Sequence, residues 1–375
     1  MEPLGVYIHI PCCVKKCRYC DFLSAPGCSA ERHQYLQALC REIVSRQEEL
    51  KSYQIRSVFV GGGTPSLLEA EEFAQLAETL RSNTGEWVPE GEWTIEANPG
   101  TITVQKAEAW YRWGVNRVSM GMQASQAELL QRLGRIHTYD QVEDSMKVLR
   151  SVGFTNINLD LMMGLPGQSM ADWLETLEKA VALEPEHLSC YSLILEEGTP
   201  LYEDVESGRL SLPDEETDRT MYDLTLRFLE EKGYHQYEIS NFAKEGKECR
   251  HNLSYWDLSQ YRGMGLGASS YIKGCRIQNT FDLDEYNTKG PQEHVEEEAS
   301  VKDAMEEWMF LGLRRTKGVS RWEFQARFGC PMESVYGEVT AKLLQDGLIQ
   351  EEGDQLCLSR RGLDLANVVF EAFLL

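Results

Sequence analysis

Through the first half of the chain, short β-branched runs alternate with longer stretches whose apolar residues recur at helical spacing. The runs at residues 6–10, 57–60, 93–97, 117–120, 157–161 and 187–193 read as strands. The stretches at 30–50, 69–81, 103–113, 139–152 and 170–183 read as helices. Ser169 stands at an N-cap position and Gly153 where a helix should stop. Strand and helix alternating at this spacing imply βαβ units and a parallel sheet. Six such units predict an α/β fold, a partial (β/α)6 barrel.

Turn residues gather after the strands. Gly61-Gly-Gly-Thr-Pro65 follows the second, Glu96-Ala-Asn-Pro99 closes the third, and Gly164-Leu-Pro-Gly167 follows the fifth. In parallel α/β proteins the functional site lies at these C-terminal strand ends. Past residue 195 the pattern changes. A helix is expected at 215–232 and a short strand at 234–241, followed by a glycine- and aromatic-rich stretch to about 286. Residues 291–299, including Glu296-Glu-Glu298, read as an acidic surface linker. The remainder reads as a small, mostly helical, winged-helix-like domain. The expected division is a core at 1–195, an extension at 196–290 and a C-terminal domain at 291–375.

Charge narrows the partners. With 37 basic and 60 acidic residues, the net charge is −23. Nucleic acid and anionic membranes both need cationic surface, so neither is expected as a partner. Acidic residues also outnumber basic ones in the C-terminal domain, which argues against its binding DNA. No run approaches the roughly 20 apolar residues of a membrane span. No charged-then-apolar leader precedes the first strand, so a cytoplasmic location is expected.

Five of the eleven cysteines fall within the first 28 residues. Cys13, Cys17 and Cys20 follow the first strand, at spacings of four and three. A loop this tight can offer three thiolates to one metal centre and leave one metal position open. Structural zinc wants four ligands, usually in two pairs, and no second Cys-x-x-Cys pair exists. An iron–sulfur cluster with an open position fits better. Cys12 is an extra candidate, although sequence neighbours in extended chain point apart. The scattered cysteines read as small buried hydrophobes.

The block Tyr7-Ile-His-Ile-Pro-Cys-Cys13-Val-Lys-Lys-Cys17-Arg-Tyr-Cys20-Asp-Phe22 resembles the radical S-adenosylmethionine (SAM) superfamily. More narrowly it resembles the oxygen-independent coproporphyrinogen III dehydrogenase family and its haem-chaperone relatives. The resemblance implies a [4Fe–4S] cluster on Cys13, Cys17 and Cys20, with SAM on the fourth iron. It makes Gly62, Gly63 and Thr64 contacts to the SAM amino-acid part and Glu96 a ribose-binding carboxylate. A phosphate cradle is the rival reading of these glycines, but the P-loop lysine is missing. Tyr7, Gln123, Arg135 and Asp160 match further SAM-contact positions, and Tyr19 the aromatic position beside adenine. Read alone, Glu96 and Arg135 are rim charges and Tyr7 is a core aromatic.

Two departures separate the chain from the dehydrogenases. Phe22 stands where they carry a further cysteine, and the first strand begins almost at Met1. In their place, His251-Asn252-Leu-Ser-Tyr255-Trp256 resembles the His-Asn-x-x-Tyr-Trp stretch of the haem chaperones. The resemblance therefore implies haem as cargo, an apo-haemoprotein as acceptor and a homodimer as a form the chain can take. Histidine is a common haem ligand, and Cys249 is the rival. Read alone, His251 fits a structural histidine. The alternatives are coproporphyrinogen III oxidation, or a methyl-transferring or haem-degrading relative on the same core.

Overall fold

The computed structural model describes residues 1–296 and 299–375. All six expected strands form: β1 (Glu2–Ile10), β2 (Tyr53–Gly62), β3 (Trp87–Ala97), β4 (Arg117–Gln123), β5 (Ile157–Met163) and β6 (His187–Ser192). They pair in parallel in chain order. Parallel strands are covered on both faces, and here the two faces differ in chemistry. Val6, Ile8, Val58, Val60, Trp93, Ile95, Val118, Met120, Ile157 and Leu159 share one apolar core with the helices. The alternate positions point the other way, into the concave lumen. They are polar or aromatic, as at Tyr7, Ser57, Phe59, Glu96, Arg117 and Asp160.

The helices between them are α1 (Ser29–Ser45), α2 (Ala70–Asn83), α3 (Val104–Trp113), α4 (Tyr139–Val152) and α5 (Met170–Ala182). Ser169 caps α5, its hydroxyl accepting from Asp172 N at 3.2 Å. Gly153 ends α4 in the left-handed conformation at φ 110°. The single helix expected at 30–50 is instead broken at Arg46, whose guanidinium is drawn to Glu42 and Glu293.

The second part corrects the sequence reading most. The strand expected at 234–241 is a hairpin, β7 (His235–Glu238) and β8 (Asn241–Ala243), added antiparallel beyond β6. It follows the expected long helix α6 (Glu215–Glu231). The glycine- and aromatic-rich stretch holds helix α7 (Arg250–Trp256) and strand β9 (Tyr261–Met264). β9 pairs in parallel with the free side of β1. Antiparallel β10 (Ser269–Ile272), β11 (Cys275–Gln278) and β12 (His294–Val295) extend that edge. The described sheet thus has twelve strands, seven of them mutually parallel. Of the expected acidic linker, residues 297 and 298 lie outside the described residues.

The C-terminal part runs α8 (Val301–Gly312), β13 (Val319–Ser320), α9 (Arg321–Phe328), α10 (Glu333–Gln345), then the hairpin β14 (Ile349–Glu352) and β15 (Gln355–Leu358). That is the helix–strand–helix–helix–hairpin order of a winged helix. Its core of Met309, Phe324, Tyr336, Leu356 and Phe373 also takes in Leu258 and Tyr271 from the sheet edge. Among the described residues, no helix is long and apolar enough to cross a membrane.

Candidate functional site

The cysteine loop leaves β1 directly. A two-residue parallel ladder, Cys12 to Ala25 and Cys13 to Pro26, ties its ends together. Arg18 N donates to Leu133 O at 2.9 Å, Leu201 N donates to Arg18 O at 2.9 Å, and the Arg18 guanidinium pairs with Asp204. These contacts hold the loop over the rim. Thr64 Oγ1 lies 3.6 Å from Cys13 Sγ, Arg135 Nη1 3.7 Å from Cys17 Sγ, and Ser24 Oγ 4.0 Å from Cys20 Sγ. Each of the three sulfurs therefore has its own polar neighbour. Cys12 packs into the apolar core, and burial pushes its thiol up to about 11.

Among the described residues, no three His, Cys, Asp or Glu side chains converge on a point where one metal ion could sit. A cluster places its protein ligands on separate irons and does not require such convergence. Three observations favour a cluster with a bound small molecule. The donors are thiols without carboxylates, the set suited to iron–sulfur centres. Gly63 lies so close under the loop that a Cβ would stand 2.7 Å from Cys12 O and 3.0 Å from Cys13 Sγ. Arg135 Nε is buried without a hydrogen-bond partner among the described residues. The cavity between loop and rim is about 40 Å³, room for about one water.

Several separate hydrogen-bond groups hold the rim side chains. Gly62 N donates to Glu96 Oε2 at 2.9 Å. Arg135 Nη2 donates to Gly121 O at 2.9 Å and Nη1 to Asn98 Oδ1 at 3.0 Å. Asn98 Nδ2 in turn donates to Thr64 Oγ1 at 2.9 Å. Gln123 ends β4 at φ 63°, a conformation uncommon for a non-glycine residue, with its Oε1 accepting from Tyr191 at 2.9 Å. Asp160 accepts from Asn158 Nδ2 at 2.7 Å, and burial raises its pKa. Tyr7 OH is 3.0 Å from His9 Nδ1. Tyr19 packs under the loop against the small core of Leu129, Leu130 and Leu165.

Asn98 and His9 were not singled out in the sequence. Asn98 lies in the Glu96-Ala-Asn-Pro99 turn, which was the available signal. His9 lies directly beneath Gly62, where a Cβ would stand 2.6 Å from its ring. Its signal was a polar residue alternating with Ile8 and Ile10 in β1.

Glu96 keeps some solvent contact through the lumen, yet its surroundings are mostly protein. Burial, then the charge of Asp160, pushes its carboxyl up to about 8, against the pull of the Gly62 N–H. The folded chain keeps this proton while the unfolded chain releases it near 4.5. Glu96 therefore lowers the stability of the metal-free protein as pH rises from about 4.5 through about 8. Thermal unfolding of Glu96→Gln across that range should show a shallower decline than wild type. Parallel curves would refute it.

The second constellation lies deeper in the lumen. Arg250 N and His251 N, at the start of α7, donate to Glu92 at 2.9 and 3.1 Å. His251 is 1% exposed. Its Nδ1 bonds Ser57 Oγ and its Nε2 bonds Tyr255 OH, both at 2.8 Å, and its ring stacks on Phe59 at 5.2 Å. Burial, then the Arg117 charge, pushes its pKa down to about 3. Cys249 is fully buried, bonded to Glu92 at 3.4 Å, with burial pushing its thiol up to about 12. Neither sequence-predicted haem ligand is open in this conformation, because both are committed to the interior. Trp256 carries the Arg314 guanidinium on its ring at 4.5 Å, and Asn252 is half-buried beside it. Tyr255 lines an open cleft.

A half-open barrel carrying a three-cysteine loop on its rim defines the class, the radical SAM proteins. The family model for the radical SAM superfamily matches residues 7–180, and that for the HemN C-terminal domain matches 299–365. Membership of that superfamily implies SAM and a [4Fe–4S] cluster as cofactors. The chain is 38% identical to the heme chaperone HemW of Bacillus subtilis, covering 99% of each chain. It is 38% identical to that of Lactococcus lactis, covering 100% of this chain and 98% of that one. The chain belongs to the HemW family. In structure it resembles the coproporphyrinogen III oxidase HemN of Escherichia coli, with a TM-score of 0.87 over 100% of this chain and 90% of that one. At 22% identity this likeness is one of fold.

Proposed function

We propose that this protein binds haem and hands it to an apo-haemoprotein, using a radical SAM core. The observation that carries the reading is the end-to-end likeness to proteins named heme chaperones. Phe22, in place of a further cysteine, supports it over coproporphyrinogen III oxidation. When bound and reduced, the cluster would supply the electron that cleaves SAM to methionine and a 5′-deoxyadenosyl radical. In this reading Cys13, Cys17 and Cys20 hold the cluster. Thr64 donates to the Cys13 thiolate, and the Arg135 cation faces that of Cys17; such contacts to ligand sulfurs tune the centre. Gly62 and Gly63 present bare backbone to the SAM amino-acid part, and Glu96 accepts from its ribose. Gln123 and Asp160 close the lumen side, Tyr7 backs the site from β1, and Tyr19 supports the adenine.

The division at residues 195 and 290 is kept as a working proposal, with the second part joining rim and C-terminal domain. Eleven free cysteines suit a reducing compartment such as the cytoplasm.

One anaerobic sample with a reconstituted cluster tests the function. Titration with haem should give a saturable Soret change, and addition of apo-haemoprotein should reverse it. With SAM and a reductant, 5′-deoxyadenosine should form. Conversion of coproporphyrinogen III to protoporphyrinogen, or no haem binding, would sink the reading.

A further inference from the structure

An open cleft of about 320 Å³ lies where α7 and the β9–β11 edge meet the C-terminal part, lined chiefly by Tyr255, Leu258, Tyr261, Tyr271, Arg276 and Leu311. It sits level with Gly5, five residues and roughly 16 Å below the rim end of β1. The lateral register places Ser57, Gly5, Tyr261, Tyr271 and Arg276 side by side across five strands. Gly5 leaves a gap in that row. A Cβ there would stand 3.4 Å from Ser57 Oγ and 3.6 Å from His251 Cε1. His251 settles over the gap and holds Tyr255 by its hydroxyl. Tyr255 then stands edge-on to Tyr261, ring centroids 4.7 Å apart at 87°.

We infer that this cleft is a haem site, with Tyr261 as the iron ligand and Arg276 as the partner of a propionate. The inference rests on the haem-carrying reading above. Its walls are aromatic and aliphatic, which suits a flat macrocycle. Small-molecule sites run from about 300 to 1,000 Å³, so a haem lodged here keeps an outer edge exposed. Handover to an acceptor needs that edge.

The ligand choice follows from burial. His251 and Cys249 are sealed inside, whereas Tyr261 is partly buried and lines the cleft wall. A phenolate is an established haem ligand type. On ligation the phenol proton leaves to solvent and the oxygen lone pair bonds the ferric iron. Burial raises the pKa of the Tyr261 phenol, and the nearby Arg276 charge opposes that rise, so the ferric iron itself must favour loss of the proton. Arg276 also gives Nε and Nη2 to Glu307 Oε1, at 3.2 and 2.6 Å. A guanidinium has five donors, so Nη1 remains for an incoming carboxylate. In a chain of net charge −23, such a cation is what a propionate requires.

The cleft also joins the cofactor rim through packed rings. Tyr7, Phe59, His251, Tyr255 and Tyr261 follow one another at 6.3, 5.2, 5.0 and 4.7 Å. A haem on Tyr261 touches one end of that stack, and the other is Tyr7, in the lumen three residues below the rim end of β1.

The test titrates ferric haem into full-length wild type, Tyr261→Phe, Tyr271→Phe and Arg276→Gln, each checked for folding by circular dichroism. Resonance Raman reads the iron ligand. Wild type should show an iron–phenolate mode. Tyr261→Phe should lose that mode and bind about 10–100-fold more weakly. Tyr271→Phe should keep it. Arg276→Gln, changed at a side chain 40% exposed, should keep the mode and bind about tenfold more weakly. Imidazole or thiolate ligation in wild type, or unchanged binding in both Tyr261→Phe and Arg276→Gln, overturns the inference while the haem reading stands. A wild type that takes up no haem overturns the reading itself.

Discussion

Replacing Cys17 with alanine is expected to abolish cluster assembly and SAM cleavage while leaving the folded chain intact. The sulfur of Cys17 has one polar neighbour, Arg135 Nη1, and its residue is half-exposed on the loop. Loss of that contact should change stability by no more than about 0.5 kcal/mol, the usual range for surface substitutions. The effect on the cofactor is of another order, since one of only three protein ligands is gone. Iron and sulfide per chain should fall to background after anaerobic reconstitution, and 5′-deoxyadenosine should not form. Cys12→Ala is the control. Cys12 packs with the apolar core, so this variant should keep its cluster at a modest cost in stability. A full cluster in Cys17→Ala would refute the assignment.

His251→Ala is expected to lower folding stability by about 2–4 kcal/mol. The substitution leaves Ser57 Oγ and Tyr255 OH without their shared partner, and an unsatisfied buried group costs about 1–3 kcal/mol. It also removes the ring stacked on Phe59. Urea unfolding, monitored by tryptophan fluorescence, measures the loss. A change within about 0.5 kcal/mol would show that the histidine is not built into the core. The consequence reaches any haem experiment. Weakened haem binding in His251→Ala would follow from the displacement of Tyr255 and is not by itself evidence of ligation.

The barrel was legible in the sequence because its strands obey a simple demand. Each must present apolar side chains to the helices, so Val6, Val58, Ile95, Met120 and Leu159 mark it out. The rim was legible because glycine- and proline-rich turns must follow such strands. β9 to β12 escaped for opposite reasons. They are two to four residues long, and β9 is punctuated by Gly263. A Cβ at Gly263 would stand 2.1 Å from Ser269 O, so close backbone approach replaces a side-chain pattern there. The partner of β9 is also β1, some 250 residues earlier, and no local periodicity reports such pairing. Within the site, the ligand types were readable but the direction of His251 was not. Its position in α7 is compatible with solvent or lumen. The Gly5 gap, the Ser57 hydroxyl and the Glu92 carboxylate, all distant in sequence, help to turn it inward.

The tie across the cysteine loop bears on the life of the protein outside an anaerobic setting. Residues 14 to 24 are closed at both ends by the Cys12–Ala25 and Cys13–Pro26 ladder and clasped by Arg18, Leu133 and Leu201. These polypeptide contacts meet part of the ordering entropy of the loop. A chain that loses its centre to oxygen should, once its three thiols are reduced again, offer them from a loop already largely in place. Reloading should then be limited by the supply of reductant, iron and sulfide more than by reordering of residues 14 to 24.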